Sequence, residues 1–422
     1  MSDIIFKNAR IIDPERSIDT VGDLGVSNGV ITDCGKLSNP EVIDLSGKVL
    51  THGFLDVHVH LRQPGNTNAE TIQTGTMAAA AGGFTSIVAM PNTKPAADTV
   101  GAIELLRRTS EQQAVVKVLP CGCMTVNSEG KEMAPIGSLK SAGIAALSDD
   151  GKCVQDHDLM RHIVEYAKSF NLPILDHCEE TTLAAGGVMN EGKWSVLLGF
   201  NGISGASEEL IVARNIILSR MVDWKIHMQH ISVKESVDLI RQARKRGIKV
   251  TGEATPHHIT LTDEKIKSFD TNYKMNPPLR SEEDRIALIE GIADDSITVI
   301  ATDHAPHTAT AKMVEFNFAP FGIIGLETAF SLCYTELVKK GVISLPKLIE
   351  KLTKGPAEVM GIENFNLAEG NPADLVIFDP AAEYVIDKNL FKSKARNTPF
   401  DGMSVAGRIE RTYVDGKLVY QL

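Results

Sequence analysis

The apolar run FLDVHVH ends in His58-Val59-His60, which sets two imidazoles two residues apart. Alternate residues of a β-strand project to the same side, so both rings can meet one point beyond the strand's end. Taken alone the pair fits a core or surface role as well as a metal. Three more apolar runs close on the same kind of side chain: His177 in LPILDHCE, His230 in KIHMQHIS and Asp303 in ITVIATDHA. Imidazole and carboxylate together suit Zn²⁺ or a similar borderline divalent ion, whereas Ca²⁺ and Mg²⁺ favour oxygen ligands alone. Four imidazoles with a carboxylate exceed what one four-coordinate ion takes when a position stays open for water. A binuclear centre is therefore expected, and two metals need a shared anionic bridge, which Asp149-Asp150, directly after GIAALS, offers.

These residues need a scaffold that gathers separate strand ends on one side. Short apolar runs recur at VLTHGFLDVHVH, FTSIVAMP, AVVKVLPCG, GIAALSD, LPILDHCE, KIHMQHIS, KVTGEATPHH and ITVIATDHA. Stretches with helical spacing lie between most of them, such as DHDLMRHIVEYAKSF and KESVDLIRQARKRG. Eight such runs predict an α/β fold, a closed (β/α)₈ TIM barrel over residues 51–370, whose active sites form at the C-terminal face. The flanks read differently. Short alternating runs with Gly and Asn turns fill 1–50, and ADLVIFDP, EYVIDK and GRIERTYVDGKLVYQL fill 371–422. They predict one small composite β-sandwich domain built from both termini.

Composition narrows the classes. Hydrophobic residues make up 43% and charged residues 23%, so a packed core is expected and disorder is not. The net charge of −11 gives polyanions no general attraction, which argues against nucleic acid as a partner. No apolar run reaches the roughly 18–20 residues of a membrane span, and the N-terminus lacks a signal-peptide pattern, so no membrane association and a cytoplasmic location are expected. The six cysteines are scattered, without a CxxC pair, and are expected to be reduced. Residues 187–194 imitate a phosphate-binding loop, but Trp194 stands where Ser or Thr must bind Mg²⁺. GxGxxG is absent, and a Ser nucleophile has no GxSxG setting at a turn from a strand into a helix.

The ordered motifs FLDVHVHLR, MPNT, DHCE, QHIS, EATPHH, MNPPLR and ATDHAPH resemble those of the class I bacterial branch of dihydroorotases, within the amidohydrolase superfamily. The likeness covers nearly the whole chain. It implies a zinc-dependent cyclic amide hydrolase of pyrimidine biosynthesis that closes N-carbamoyl-L-aspartate to L-dihydroorotate and reopens it. It also implies one or two Zn²⁺, with His58, His60, Asp150 and Asp303 on one metal and Asp150, His177 and His230 on the other. Related hydantoinases carry a carbamylated Lys as the bridge. The SDDGK string here favours Asp150, with Lys152 as the alternative. Asp303 would act as general acid and base for a metal-activated water.

A carboxylate-bearing substrate calls for a planar cation, and Arg62, two residues past His60, meets that need. The resemblance adds His60, Asn92 and His307 as further substrate contacts, with Asn276 and the backbone of Phe321-Gly322 against the pyrimidine ring. His304 is expected to point away from the metals, and His257 and His258 to play supporting or structural parts. The segment Thr308 to Pro320 is less acidic than the family pattern and reads either as a loop closing over substrate or as a static connection. Partners left open are a second copy in a homodimer and aspartate transcarbamoylase. The alternatives to this reading are a hydantoinase- or allantoinase-like enzyme and a non-catalytic assembly partner. Proteins of the latter kind lose metal ligands, and all six persist here.

Overall fold

The computed structural model describes residues 3–422; the first two residues of the expected 1–50 segment lie outside them. The eight apolar runs of the middle form eight parallel strands in the predicted order: Phe54–Val59, Phe84–Ala89, Lys117–Gly122, Ala146–Leu147, Ile174–Asp176, Ile226–Met228, Val250–Ala254 and Val299–Ile300. Each pairs in parallel with the next. A bridge between Val59 and His304, with the His60 N–H donating to the His304 carbonyl at 3.0 Å, closes the ring. The sheet is a TIM barrel.

Helix starts between the strands are fixed by local chemistry. Thr71 and Thr74 cap Ile72–Ala81 reciprocally, the Asp156 carboxylate accepts two N–H groups of His157–Ser169, and Ser281 and Asp284 cap Glu282–Ala293. Each cap satisfies donors that would otherwise be orphaned and stabilises its helix by roughly 1 kcal/mol. The helix His157–Ser169 buries Met160, Ile163, Val164 and Ala167, a stripe at three- and four-residue spacing turned to the barrel. Inside, Leu55, Val57, Val88, Ala146, Leu175 and Val299 pack on Ala357, Val359 and Met360, so the helix Lys354–Met360 stoppers the end away from the catalytic face.

Strands from both termini make a second eight-stranded sheet, Ile4–Asp13 and its neighbours joining Leu375–Val385, Ser404–Val414 and Lys417–Gln421. Phe6 and Tyr413 lie on strands three places apart, about 14 Å in a flat sheet. Their rings meet edge-on at 5.2 Å, so the sheet folds over and encloses Leu24, Val26, Leu50, Leu375 and Ile377. The run VLTHGFLDVHVH, read as one strand, is two. Val49–His52 pairs within the terminal sheet and straddles the boundary expected at 50/51, and Phe54–Val59 opens the barrel. Gly53 lies between them, where a Cβ would sit 2.0 Å from the Thr85 side chain, so only glycine permits this approach.

Candidate active site

At the C-terminal ends of the first, fourth, fifth, sixth and eighth strands, His58, His60, Asp150, His177, His230 and Asp303 converge, all buried. Their ligand atoms fall into three sets within 4.8 Å of one another: His58, His230 and Asp303; His58, His60 and Asp150; and Asp150, His177 and His230. Asp150 is central. Its oxygens lie 3.3 Å from His58 Nε2, 3.3 Å from His60 Nε2 and 3.6 Å from His177 Nδ1. Asp303 Oδ1 stands 3.0 Å from His60 Nε2 and 3.5 Å from His58 Nε2. The two positions that rivalled Asp150 are turned away. Asp149 accepts from the backbone of Met124 and Thr125, and Lys152 is exposed with Nζ 3.4 Å from the Asn127 carbonyl.

The electrostatics call for a cation. Burial opposes charge on His58, yet Asp303, Asp150 and Glu253 outweigh it and hold its pKa well above the usual imidazole value. The same contest, with Asp150 and Glu179 opposing burial, raises His177 to about 10. Asp150 in turn is held well below the carboxylate range, since His58, His177 and His230 overcome its burial. The carboxylates of the cluster thus favour positive charge among them, which a metal ion would supply, and His58 Nε2 is buried without a hydrogen-bond partner. The donor set fits a divalent ion that accepts nitrogen and oxygen. Arg62, His230 and Asp303 all have positive φ, 58°, 32° and 46°. Each non-glycine residue held there costs about 1–2 kcal/mol, a concentration of strain typical of functional sites.

A cavity of about 380 Å³ opens above the cluster, and every expected substrate contact lines it: His60, Arg62, Asn92, Asn276, His307, Phe321 and Gly322. Arg62 donates through Nε to the Pro306 carbonyl, and among the described residues no protein acceptor takes its terminal nitrogens. Asn276 gives its Nδ2 to Glu179 at 2.9 Å, which leaves Oδ1 buried and unpartnered. Asn92 is more committed than expected. Its Oδ1 meets His60 Nδ1 at 2.9 Å and its Nδ2 lies 3.3 Å from Asp150. Burial, Arg62 and Lys312 lower His307 to about 3, so it is neutral, and its Nε2 donates to the Phe321 carbonyl at 2.7 Å. Gly322 is spent within the protein, its N–H on the Lys274 carbonyl and its own carbonyl on Asn397. A Cβ there would lie 2.7 Å from the Ala305 carbonyl. His304 sits outside the cluster on Glu70, and His258 bridges Thr255 and the Pro277 carbonyl.

Sequence reading passed over two carboxylates. Glu253 lies inside the seventh strand and meets His58 Nδ1 at 2.7 Å, and Glu179 orients Asn276. For Glu253 the available signal was a charged residue in a run otherwise fit for burial, a placement that demands partners. The segment Thr308–Pro320 is tied down: Thr308 caps Ala309–Lys312, and Lys312 Nζ donates to the carbonyls of Thr271 and Pro320.

A family model described as dihydro-orotase-like matches residues 47–236, and one described as amidohydrolase family matches residues 325–420. Dihydroorotase from Acetivibrio thermocellus is 45% identical, covering 99% of this chain and 98% of that protein. The dihydroorotase of Bacillus cytotoxicus is 48% identical over the same shares. Among solved structures, the L-hydantoinase (dihydropyrimidinase) from Arthrobacter aurescens matches with a TM-score of 0.89 at 26% identity, over 100% of this chain and 96% of that one. The likeness to the hydantoinase is chiefly one of fold, whereas that to the dihydroorotases is one of sequence over 99% of this chain. The chain belongs to the dihydroorotase family of the amidohydrolases and is a cyclic amide hydrolase.

Proposed function

We propose that the chain interconverts N-carbamoyl-L-aspartate and L-dihydroorotate at this cavity, in the cytoplasm, with the barrel 51–370 as the catalytic unit and 1–50 with 371–422 as its supporting domain. His58, His60, Asp150 and Asp303 would hold one zinc ion, and Asp150, His177 and His230 a second. Bound there, such an ion supplies Lewis acidity and lowers the pKa of water towards 7. Asp303 Oδ1 is occupied by His58 and His60, so Oδ2 is the atom free to take a proton from the attacking water and return it to the departing ring nitrogen. The Arg62 terminal nitrogens meet the substrate carboxylate. Asn276 Oδ1, fixed by Glu179, accepts from a ring N–H, and the Phe321 N–H donates to a ring carbonyl. His307 Nδ1, bare in the neutral ring, gains a proton to donate only when that carboxylate arrives beside it.

One observation carries this reading: an unspent guanidinium faces the same cavity as the imidazole and carboxylate cluster. Metal analysis combined with turnover on dihydroorotate, hydantoin and allantoin tests it. The expected result is one to two zinc ions per chain and turnover of dihydroorotate alone. Robust hydrolysis of hydantoin or allantoin would overturn the substrate assignment. Co-elution with aspartate transcarbamoylase in size exclusion would add a macromolecular partner, and separate elution would leave the small molecule alone.

A further inference from the structure

Inward positions of a (β/α)₈ barrel are ordinarily filled by branched apolar residues. Beneath the metal cluster this barrel instead carries a column of polar ones. Thr251 Oγ1 lies 2.8 Å from His227 Nδ1, His227 Nε2 lies 2.9 Å from Glu253 Oε2, and Glu253 Oε1 lies 2.7 Å from His58 Nδ1. Glu253 and His58 are fully buried and His227 nearly so. Glu253 Oε1 also accepts the backbone N–H of His230 at 3.0 Å, at a residue whose φ is +32°. One carboxylate thus touches a ligand side chain from the first strand and the backbone of a ligand from the sixth.

A buried carboxylate of this kind is a poor stabilising device, since the cost of stripping its water offsets much of what its partners return. It is a good orienting device. An ionised carboxylate only accepts, so both imidazoles must present N–H groups to it. His58 then carries its proton on Nδ1 and turns a bare Nε2 to the cluster, while His227 Nδ1 accepts from Thr251. We infer that Glu253, held in turn by His227, is the positioning residue of the metal centre: it fixes the orientation of His58 and the backbone of His230, so that one ligand of each of the two metal positions is held by a single carboxylate. The inference rests on the reading of His58 and His230 as ligands.

The test uses full-length protein stripped of metal by chelation, with zinc dissociation constants measured by competition against a chromophoric chelator. Glu253→Gln keeps the shape and an acceptor for His58 but drops the charge; Glu253→Leu drops both. Zinc affinity is expected to fall about tenfold in the first and about a hundredfold in the second. At saturating zinc the KM for dihydroorotate is expected to stay unchanged, because Glu253 does not touch the cavity, and the hydrogen-bonded Nδ1 proton resonance of His58 should persist in the Gln variant and vanish in the Leu variant. His58→Ala is the control for the underlying reading. If it binds zinc like the wild type, His58 is not a ligand and both readings fall. If it binds weakly while the Glu253 variants stay within about twofold of the wild type, the ligand reading stands and the positioning role is overturned. Should Glu253→Leu fail to fold, Glu253→Gln and His227→Gln decide, the latter with an expected several-fold loss of affinity and a shifted His58 resonance.

Discussion

Asp303 combines two demands that rarely share one side chain: one of its oxygens stands among imidazoles, and the side chain lines the cavity. Asp303→Asn preserves volume but cannot accept and return a proton, so kcat is expected to drop by on the order of 10²–10⁴ while circular dichroism is unchanged. Zinc content measured on the same sample separates lost metal from lost proton transfer, and a zinc-loaded variant keeping a tenth of wild-type turnover would remove Asp303 from that role. Arg62 tests substrate binding apart from the metals. Its side chain is half-buried, and desolvation lowers its pKa, so the fold holds a cation there at a cost that a ligand carboxylate would offset. Arg62→Lys keeps charge but loses the fork, and KM for dihydroorotate is expected to rise tenfold or more, corresponding to roughly 1.5–3 kcal/mol for a charge-assisted contact, with zinc content constant. An unchanged KM would place the carboxylate elsewhere. At this scale the sequence was most legible where function breaks the apolar pattern at a strand's end, as at His177 and Asp303. It was least legible for residues such as Glu253 and Glu179, which act through other side chains, because no local spacing marks which distant ring a buried carboxylate will meet.

Strands and helices were readable for a related reason. Most barrel strands are short apolar runs, and helices such as His157–Ser169 are amphipathic stretches opened by a capping residue; both signals are local. The division of VLTHGFLDVHVH was not readable, because it depends on Gly53 lying against Thr85, a contact made only by the folded barrel. The segment Thr308–Pro320 behaves alike. Its sequence shows little periodicity, yet two lysines staple it. Lys312 Nζ reaches the carbonyls of Thr271, Lys274 and Pro320, and Lys274 Nζ those of Phe316 and Asn317. Neither ammonium has a carboxylate partner among the described residues, and burial pushes Lys312 down to about 7 and Lys274 to about 8. An unfolded lysine titrates near 10.4, so between about pH 7 and 10 the unfolded chain binds more protons than the folded one. Stability contributed through Lys312 therefore rises with pH across that window and is least below pH 7. Lys312→Met removes this slope: relative to the variant, the wild type is expected to gain melting temperature between pH 7 and pH 9.5. Parallel melting curves across those pH values would show that the buried ammonium keeps its ordinary pKa.

For the whole molecule the question is whether the barrel and the terminal sheet stand or fall together. Domains within a chain commonly meet through modest, fairly polar interfaces and move independently. Here Phe330, buried on the helix Ala329–Cys333, stacks on Phe54 of the first barrel strand at 5.5 Å and meets Phe378 of the terminal sheet at 4.5 Å with its ring tilted by 54°. Phe84 meets Phe54 edge-on at 5.7 Å, so one aromatic core spans both units. Polar links reinforce it. Thr412 Oγ1 donates to the Ala80 carbonyl at 2.7 Å, and Lys117 Nζ lies 2.6 Å from Asp374 and 2.9 Å from Asp415. Only Gly53 separates the last strand of the N-terminal segment from the strand that carries His58, so loosening the terminal sheet frees the root of the metal site. Phe330→Ala is expected to cost roughly 3–5 kcal/mol, the range for deleting a buried aromatic ring. Because both units share that ring, the loss should lower a single calorimetric transition, with zinc release and loss of far-ultraviolet circular dichroism at the same temperature in wild type and variant alike. Two resolved transitions, with zinc retained through the first, would show that the terminal sheet unfolds by itself and that the shared core does not couple it to the chemistry.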